Sequence, residues 1–242
     1  GAAPLGARLR GAEIKIIAVA FNTLALSVIT QTDIRAMADL KGKRLGISRF
    51  GSNTDFGMRY VLKKYGVSDR DVAFLQFGEA QGIFAALQSG AIHGGVLSYP
   101  TTAAALRAGF KELLDFSDIG LEFPNSNITV TDRFLQTQPD MVRRFLMGYA
   151  EGLQRYKTDA AFTKRVMGKY LRVQDQSVLD ETYKLFAPKM PRIPYPTVNG
   201  IRLALESLSD EPRAKGAKPE EFYDDTILRN LEREGFFQQL YR

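Results

Sequence analysis

From about residue 43 onward, short apolar runs alternate with stretches in which apolar residues recur at helical spacing. Residues 43–48, 72–77, 92–98 and 111–116 read as strands. Between them Met58, Val61, Leu62 and Tyr65 fall at i, i+3, i+4 and i+7, and Ile83, Phe84 and Leu87 form a second such face. Gly66, Gly90 and Gly109 stand where helices would end, and Pro100 suits the first turn of a helix through Arg107. Strand and helix in regular alternation predict a mainly parallel sheet with right-handed crossovers, a compact α/β lobe over residues 39–120.

The flanks read differently. Residues 14–20 and 24–30 precede this unit as strand-like runs, 126–130 follows it, and the remainder is helical. Val142, Phe145, Leu146, Tyr149 and Leu153 mark a long amphipathic helix entered through Pro139. Phe162, Val166 and Tyr170 mark the next, Leu179, Tyr183 and Phe186 a third, and Val198, Ile201, Leu205 and Leu208 a fourth. The proline-rich stretch 188–196 is an irregular connection, 209–218 a polar linker, and 219–234 a last helix. A few strands and a string of helices need a common sheet to cover. The expected arrangement is a first lobe from residues 1–30 and 126–242, connecting segments 31–38 and 121–125, and two crossings near 27–30 and 126–130.

Composition narrows the function classes. Hydrophobic residues at 45% and charged residues at 25% suit a globular protein with a sizeable core. No apolar run approaches the roughly 18–20 residues of a membrane span. A net charge of +6 invites a nucleic-acid reading, but the basic residues are scattered among acidic ones rather than gathered on one stripe. The absence of cysteine excludes disulfides and thiolate metal sites. His93 is the sole histidine, too little for a metal centre, and is expected to be structural. There is no G-x-G-x-x-G, no phosphate-binding loop of the Walker A kind, and no G-x-S-x-G elbow.

Three phrases carry a resemblance: Asp39-Leu40-Lys41-Gly42-Lys43-Arg44-Leu45-Gly46, Gly51-Ser52-Asn53-Thr54 between strand and helix, and Ala85-Ala86-Leu87-Gln88-Ser89-Gly90-Ala91-Ile92. In their order and spacing the chain resembles the type II periplasmic solute-binding proteins of ABC transporters, in the branch of the sulfonate, taurine, nitrate and thiamine-pyrimidine binders. The resemblance implies an α/β fold of two lobes joined by two crossing strands, closing on a small organic solute. It also implies a permease partner, a periplasmic or otherwise extracytoplasmic place (with a lipoprotein anchor as one form), no cofactor, no nucleic acid and no catalysis. The family opens with a strand-helix segment upstream of the point matching Ile14. Its absence, with the opening Gly1-Ala2-Ala3-Pro4 lacking a leader pattern, raises the expectation of a processed or truncated chain: a monomer if complete, a dimer if an apolar strand edge is bared. The second departure is His93, where the family's phrase commonly has Asp. The pyrimidine-synthesising relatives use a cysteine-rich segment, which this sequence does not have.

Open parallel sheets take ligands beyond the carboxyl ends of their strands, which singles out three loops. Ser52, Asn53 and Thr54 open a helix, where free N–H groups and a partial positive charge suit an anionic or polar group; the bland alternative is an ordinary N-cap. Ser98 and Tyr99 hold the same place after the third strand, with the tyrosine face suited to an organic body or, equally, to packing under the loop. Gln81 follows the second strand. Phe21, Asn22 and Asn125 border the expected crossings and are contacts or hinge structure. The leading function is solute binding for import; the alternatives are the effector domain of a LysR-type regulator and an enzyme on the same fold.

Overall fold

The computed structural model describes residues 1–208 and 211–242, so Ser209 and Asp210, the start of the expected polar linker, lie outside the described residues. In chain order the elements are α1 (Ala3–Leu9), β1 (Ile14–Thr23), β2 (Ser27–Thr30), β3 (Arg44–Ile47), α2 (Asn53–Lys64), β4 (Ala73–Gln76), α3 (Ala80–Gln88), β5 (Gly94–Leu97), α4 (Thr101–Arg107), β6 (Lys111–Asp115) and β7 (Glu122–Thr131). Then come α5 (Asp132–Thr137), α6 (Pro139–Thr158), α7 (Ala160–Leu171), α8 (Gln176–Phe186), α9 (Val198–Glu206), α10 (Thr226–Arg233) and α11 (Phe236–Leu240). The chain divides into two compact units: Gly1–Thr23 with Glu122–Arg242, and Leu24–Leu121.

The second unit holds a five-stranded sheet in the order β4-β3-β5-β2-β6. Strand β3 runs parallel to β4 and β5, and β2 runs antiparallel to both β5 and β6, so the four strands of the βα alternation all point one way. Residues 24–30 thus belong here and not with the first lobe, and the crossings fall at Thr23–Leu24 and Leu121–Glu122 rather than near 27–30 and 126–130. The physical reason is burial. Val28, Ile29 and Thr30 have no exposed surface, and Ser27 almost none, so β2 is apolar or neutral on both faces and fits only the middle of a covered sheet. Burying Val28 and Ile29 contributes about 1.5–3 kcal/mol each.

Glycine lets helix α3 sit close on this sheet. Gly46 and Gly95 are cross-strand partners on β3 and β5. A Cβ at Gly95 would stand 2.4 Å from Ile83 Cγ2, and one at Gly46 would stand 2.6 Å from Ile92 Cδ1. Side chains here would push Ile83 out of the core it forms with Ile29, Leu87, Ile92 and Leu97.

In the first unit β1 and β7 form a two-stranded antiparallel sheet, with Ile14 opposite Thr131 and Phe21 opposite Asn125. Residues 14–20 form the strand expected of them, and its paired neighbour runs antiparallel. On its other side, Ile16 N donates to Phe222 O at 3.0 Å, Asp224 N to Ile16 O at 2.9 Å, and Val19 N to Pro194 O at 2.8 Å. Tyr223 therefore forms a parallel bridge with Ile16 of β1, which is why the single helix expected over 219–234 becomes a one-turn 3-10 segment, Pro219–Glu221, and then α10. Ile17 and Ala18 pack with Val142, Leu146 and Ala150 of α6, Leu228 and Leu231 of α10, and Phe237.

Two helix faces differ from their sequence reading. On α6 the buried positions are Val142, Leu146, Ala150 and Leu153, while Phe145 is half exposed and stacks on Tyr149 with centroids 6.1 Å apart. On α7 the buried pair is Thr163 and Met167, one position along from the expected Phe162 and Val166, and Tyr170 is exposed. Phe162 is covered instead by the Arg155 guanidinium, 3.8 Å from its centroid. Among the described residues no helix is long and apolar enough to cross a membrane.

Candidate functional site

Because β3, β4, β5 and β6 point the same way, the loops that follow them lie along one edge of the second unit's sheet. The start of β2 lies on that edge too, with Ser27 opposite both Leu97 and Asp115. Both passages of the chain out of this unit therefore leave by the edge that carries the loops.

After β3 the chain turns through Gly51, whose φ of +73° is in the left-handed region that glycine adopts without strain. Ser52 then caps α2, its hydroxyl accepting from Asp55 N at 3.4 Å. Three hydroxyls meet here. Ser48 Oγ donates to Ser52 Oγ at 3.0 Å and lies 2.9 Å from Thr54 Oγ1, and the Ser52 and Thr54 hydroxyls are 2.8 Å apart. Ser48 N also donates to Thr54 Oγ1 at 2.9 Å. Three hydroxyl protons circulating among three oxygens satisfy one another. The same protons can turn outward to an acceptor stronger than a neighbouring hydroxyl, such as a carboxylate or sulfonate oxygen.

The one carboxylate beside this cluster is held away from it. Asp55 is buried, accepts Gly51 N at 2.9 Å with one oxygen, and pairs through the other with Arg59 Nε at 2.7 Å. Arg59 also reaches Asp69 at 2.6 Å and lies over the Phe74 ring. The Asp55 charge is thus neutralised behind the loop, and the helix terminus keeps its partial positive character.

The second loop is tied to the first. Phe77 N and Gly78 N donate to Ile47 O and Ser48 O at 3.0 and 2.9 Å, and Phe50 N donates to Gln76 Oε1 at 2.8 Å. Gly82 lets α3 sit close on the second loop, since a Cβ there would stand 2.4 Å from Phe77 O. Gln81 is exposed in the first turn of α3. In the third loop Ser98 and Tyr99 are half-buried, Ser98 O accepts from Thr102 N at 3.1 Å, and the Tyr99–Pro100 bond is cis.

A family model described as NMT1/THI5 like matches residues 4–159. The chain belongs to the NMT1/THI5-like family. No curated protein matches it. Among solved structures, this NMT1/THI5-like chain is similar to the ligand-binding component of an ABC-type import system from Staphylococcus aureus with zinc bound, at TM-score 0.74 and 14% identity, over 94% of this chain and 77% of that one. It is similar to the alkanesulfonate-binding protein SsuA from Xanthomonas axonopodis pv. citri bound to MOPS, at TM-score 0.71 and 18% identity, over 94% and 76%. The desulfurization enzyme DSZB shares the fold, at TM-score 0.69 and 14% identity, over 92% and 80%. The expected two-lobed α/β fold of the binding proteins is thereby shown.

Of the nine residues singled out from the sequence, Ser52, Asn53, Thr54, Gln81, Ser98 and Tyr99 lie on the loop edge of the second unit. Phe21, Asn22 and Asn125 belong to the paired strands of the NMT1/THI5-like chain's first unit. Phe21 is only 9% exposed and meets Phe186 edge-on with centroids 5.5 Å apart, so its ring is core. Asn22 Nδ2 donates to Tyr195 O at 2.8 Å, while its Oδ1 and the Thr23 hydroxyl are buried without a hydrogen-bond partner among the described residues. Sequence reasoning missed Ser48, which completes the hydroxyl cluster; its signal was its place as the first polar residue after a buried strand. No group of acidic, histidine or cysteine side chains among the described residues could hold a metal.

Proposed function

We propose that the chain is the extracytoplasmic solute-binding component of an ABC importer, taking a small organic ligand whose anionic or polar end meets the Ser48, Ser52 and Thr54 hydroxyls. The observation that carries this reading is the convergence of three hydroxyls on the N-terminus of a 12-residue helix, at the strand-end edge of the second unit's sheet. The alkanesulfonate-binding neighbour, bound to MOPS, agrees in class with such an end, whereas the Staphylococcus aureus neighbour carries zinc. Tyr99 offers a flat surface for the organic body. The partner is a membrane permease.

An enzymatic reading is kept alive by the similarity to DSZB. Against it stands the arrangement of the second unit's own groups. The sole imidazole, His93, precedes β5, whereas Ser98 follows it, so the histidine and the loop hydroxyls lie at opposite ends of the strand. That leaves the cluster without a histidine general base.

A thermal-shift screen of sulfonates, carboxylates, pyrimidines and aromatic acids tests the proposal. A true ligand at a hundredfold excess over its Kd adds about 2.7 kcal/mol of stability, which raises Tm by roughly 2–4 °C per kcal/mol at this size. Turnover of a stabilising compound, followed by mass spectrometry, would transfer the assignment to the enzyme class.

A further inference from the structure

The far edge of the same sheet carries a device that the solute site does not use. His93 stands one residue before β5, and its main chain and side chain both engage Arg44, the first residue of β3. His93 N donates to Arg44 O at 2.9 Å, and Arg44 N donates in return to His93 Nδ1 at 3.2 Å. The imidazole nitrogen occupies the position a backbone carbonyl would hold in one more rung of the ladder. On the other side His93 O accepts from Gln31 N at 2.9 Å, just beyond β2. One residue thus joins the ends of three adjacent strands.

The Arg44 charge is fixed beside it. Its Nε donates to Ala91 O at 2.5 Å and its Nη2 to Gly90 O at 3.2 Å, so the guanidinium closes the turn after α3 and moves aside only by breaking those bonds. Lys43 adds a second positive charge facing the ring, and Asp33 is the carboxylate that opposes them. A protonated imidazole has a donor at Nδ1, pointed at another donor, with two cations nearby. Burial first, and then the Arg44 and Lys43 charges, hold the His93 pKa below its ordinary 6.5.

We propose that His93 is an acid-releasable rung tying the start of β5 to β3 and to the exit of β2, and that its protonation weakens the second unit. The sign follows from the direction of the shift. The unfolded chain takes up the proton as pH falls through 6.5, before the folded chain does. The stabilisation is complete above that value and is lost progressively below it, down to the folded-state pKa.

Because His93 is the only histidine, two measurements test this on the whole chain. First, the melting temperature is followed between about pH 7.5 and about pH 5.5, a window that ordinary carboxylates do not enter, for the native protein and for His93→Asn, whose amide oxygen accepts the Arg44 N–H at every pH. The native protein is expected to lose more melting temperature than the variant; equal losses would overturn the proposal. Second, proton NMR of the one imidazole in the native protein needs no variant. A midpoint below 6.5 is expected, and one at or above that value would overturn the proposal.

Discussion

The two strand systems of this molecule solve the same problem in opposite ways. The second unit packs five strands of four or five residues into one sheet whose inner strands β5 and β2 are buried at every position, while no position of its edge strands β4 and β6 is buried. The first unit has two strands of ten residues each, paired along their length, with β7 only half-buried over most of its span and helices supplying the rest of the core. Short covered strands leave their ends as the accessible parts, so the loops at those ends become the natural place for recognition. A long ribbon instead fixes the path of the chain, since its partners lie 99–117 residues apart in sequence.

Cutting the most covered strand should have the largest effect. Ile29→Ala in β2 is expected to cost roughly 2–5 kcal/mol by urea unfolding, and Ile128→Ala in half-buried β7 distinctly less. Equal costs would dissolve the contrast between the two systems. Next comes the glycine pair: Gly95→Ala drives a methyl against Ile83 Cγ2 and should destabilise by about 1–3 kcal/mol, read in the same titration. Ser52→Ala removes the α2 cap and should cost about 1 kcal/mol of stability. The smallest effect belongs to the exposed pair of the first unit, Arg143 with Glu234. Arg143→Ala should fall within about 1 kcal/mol of wild type.

The same contrast explains what the sequence could and could not reveal. The βα alternation of residues 43–116 was legible because apolar strand runs and helix-period faces succeed one another within short windows, a local pattern. Strand β2 was misassigned because its partners in β5 and β6 lie 64–88 residues downstream, and nothing within residues 24–30 names them. Residues 222–224 were read as helix because their bonding to Ile16 is likewise nonlocal. The loop residues Ser52, Thr54, Ser98 and Tyr99 were legible from the general rule that strand carboxyl ends bind ligands. Phe21 was singled out by its proximity to a crossing, but a strand position beside α6 and α8 made its ring core. Tyr170 and Phe145 show the same limit in helices, where an apolar period fixes a face only to within one residue of its neighbours.

The central claim is that the hydroxyl cluster at the α2 terminus receives the solute. Isothermal titration of the strongest stabiliser from the screen, into wild type and into the double variant Ser52→Ala with Thr54→Ala, tests it most directly, with circular dichroism confirming that the variant is folded. The account predicts a loss of roughly 0.5–1.5 kcal/mol of binding free energy per hydrogen bond removed, with the stoichiometry unchanged at one. A folded double variant that binds the same compound with wild-type affinity would contradict it.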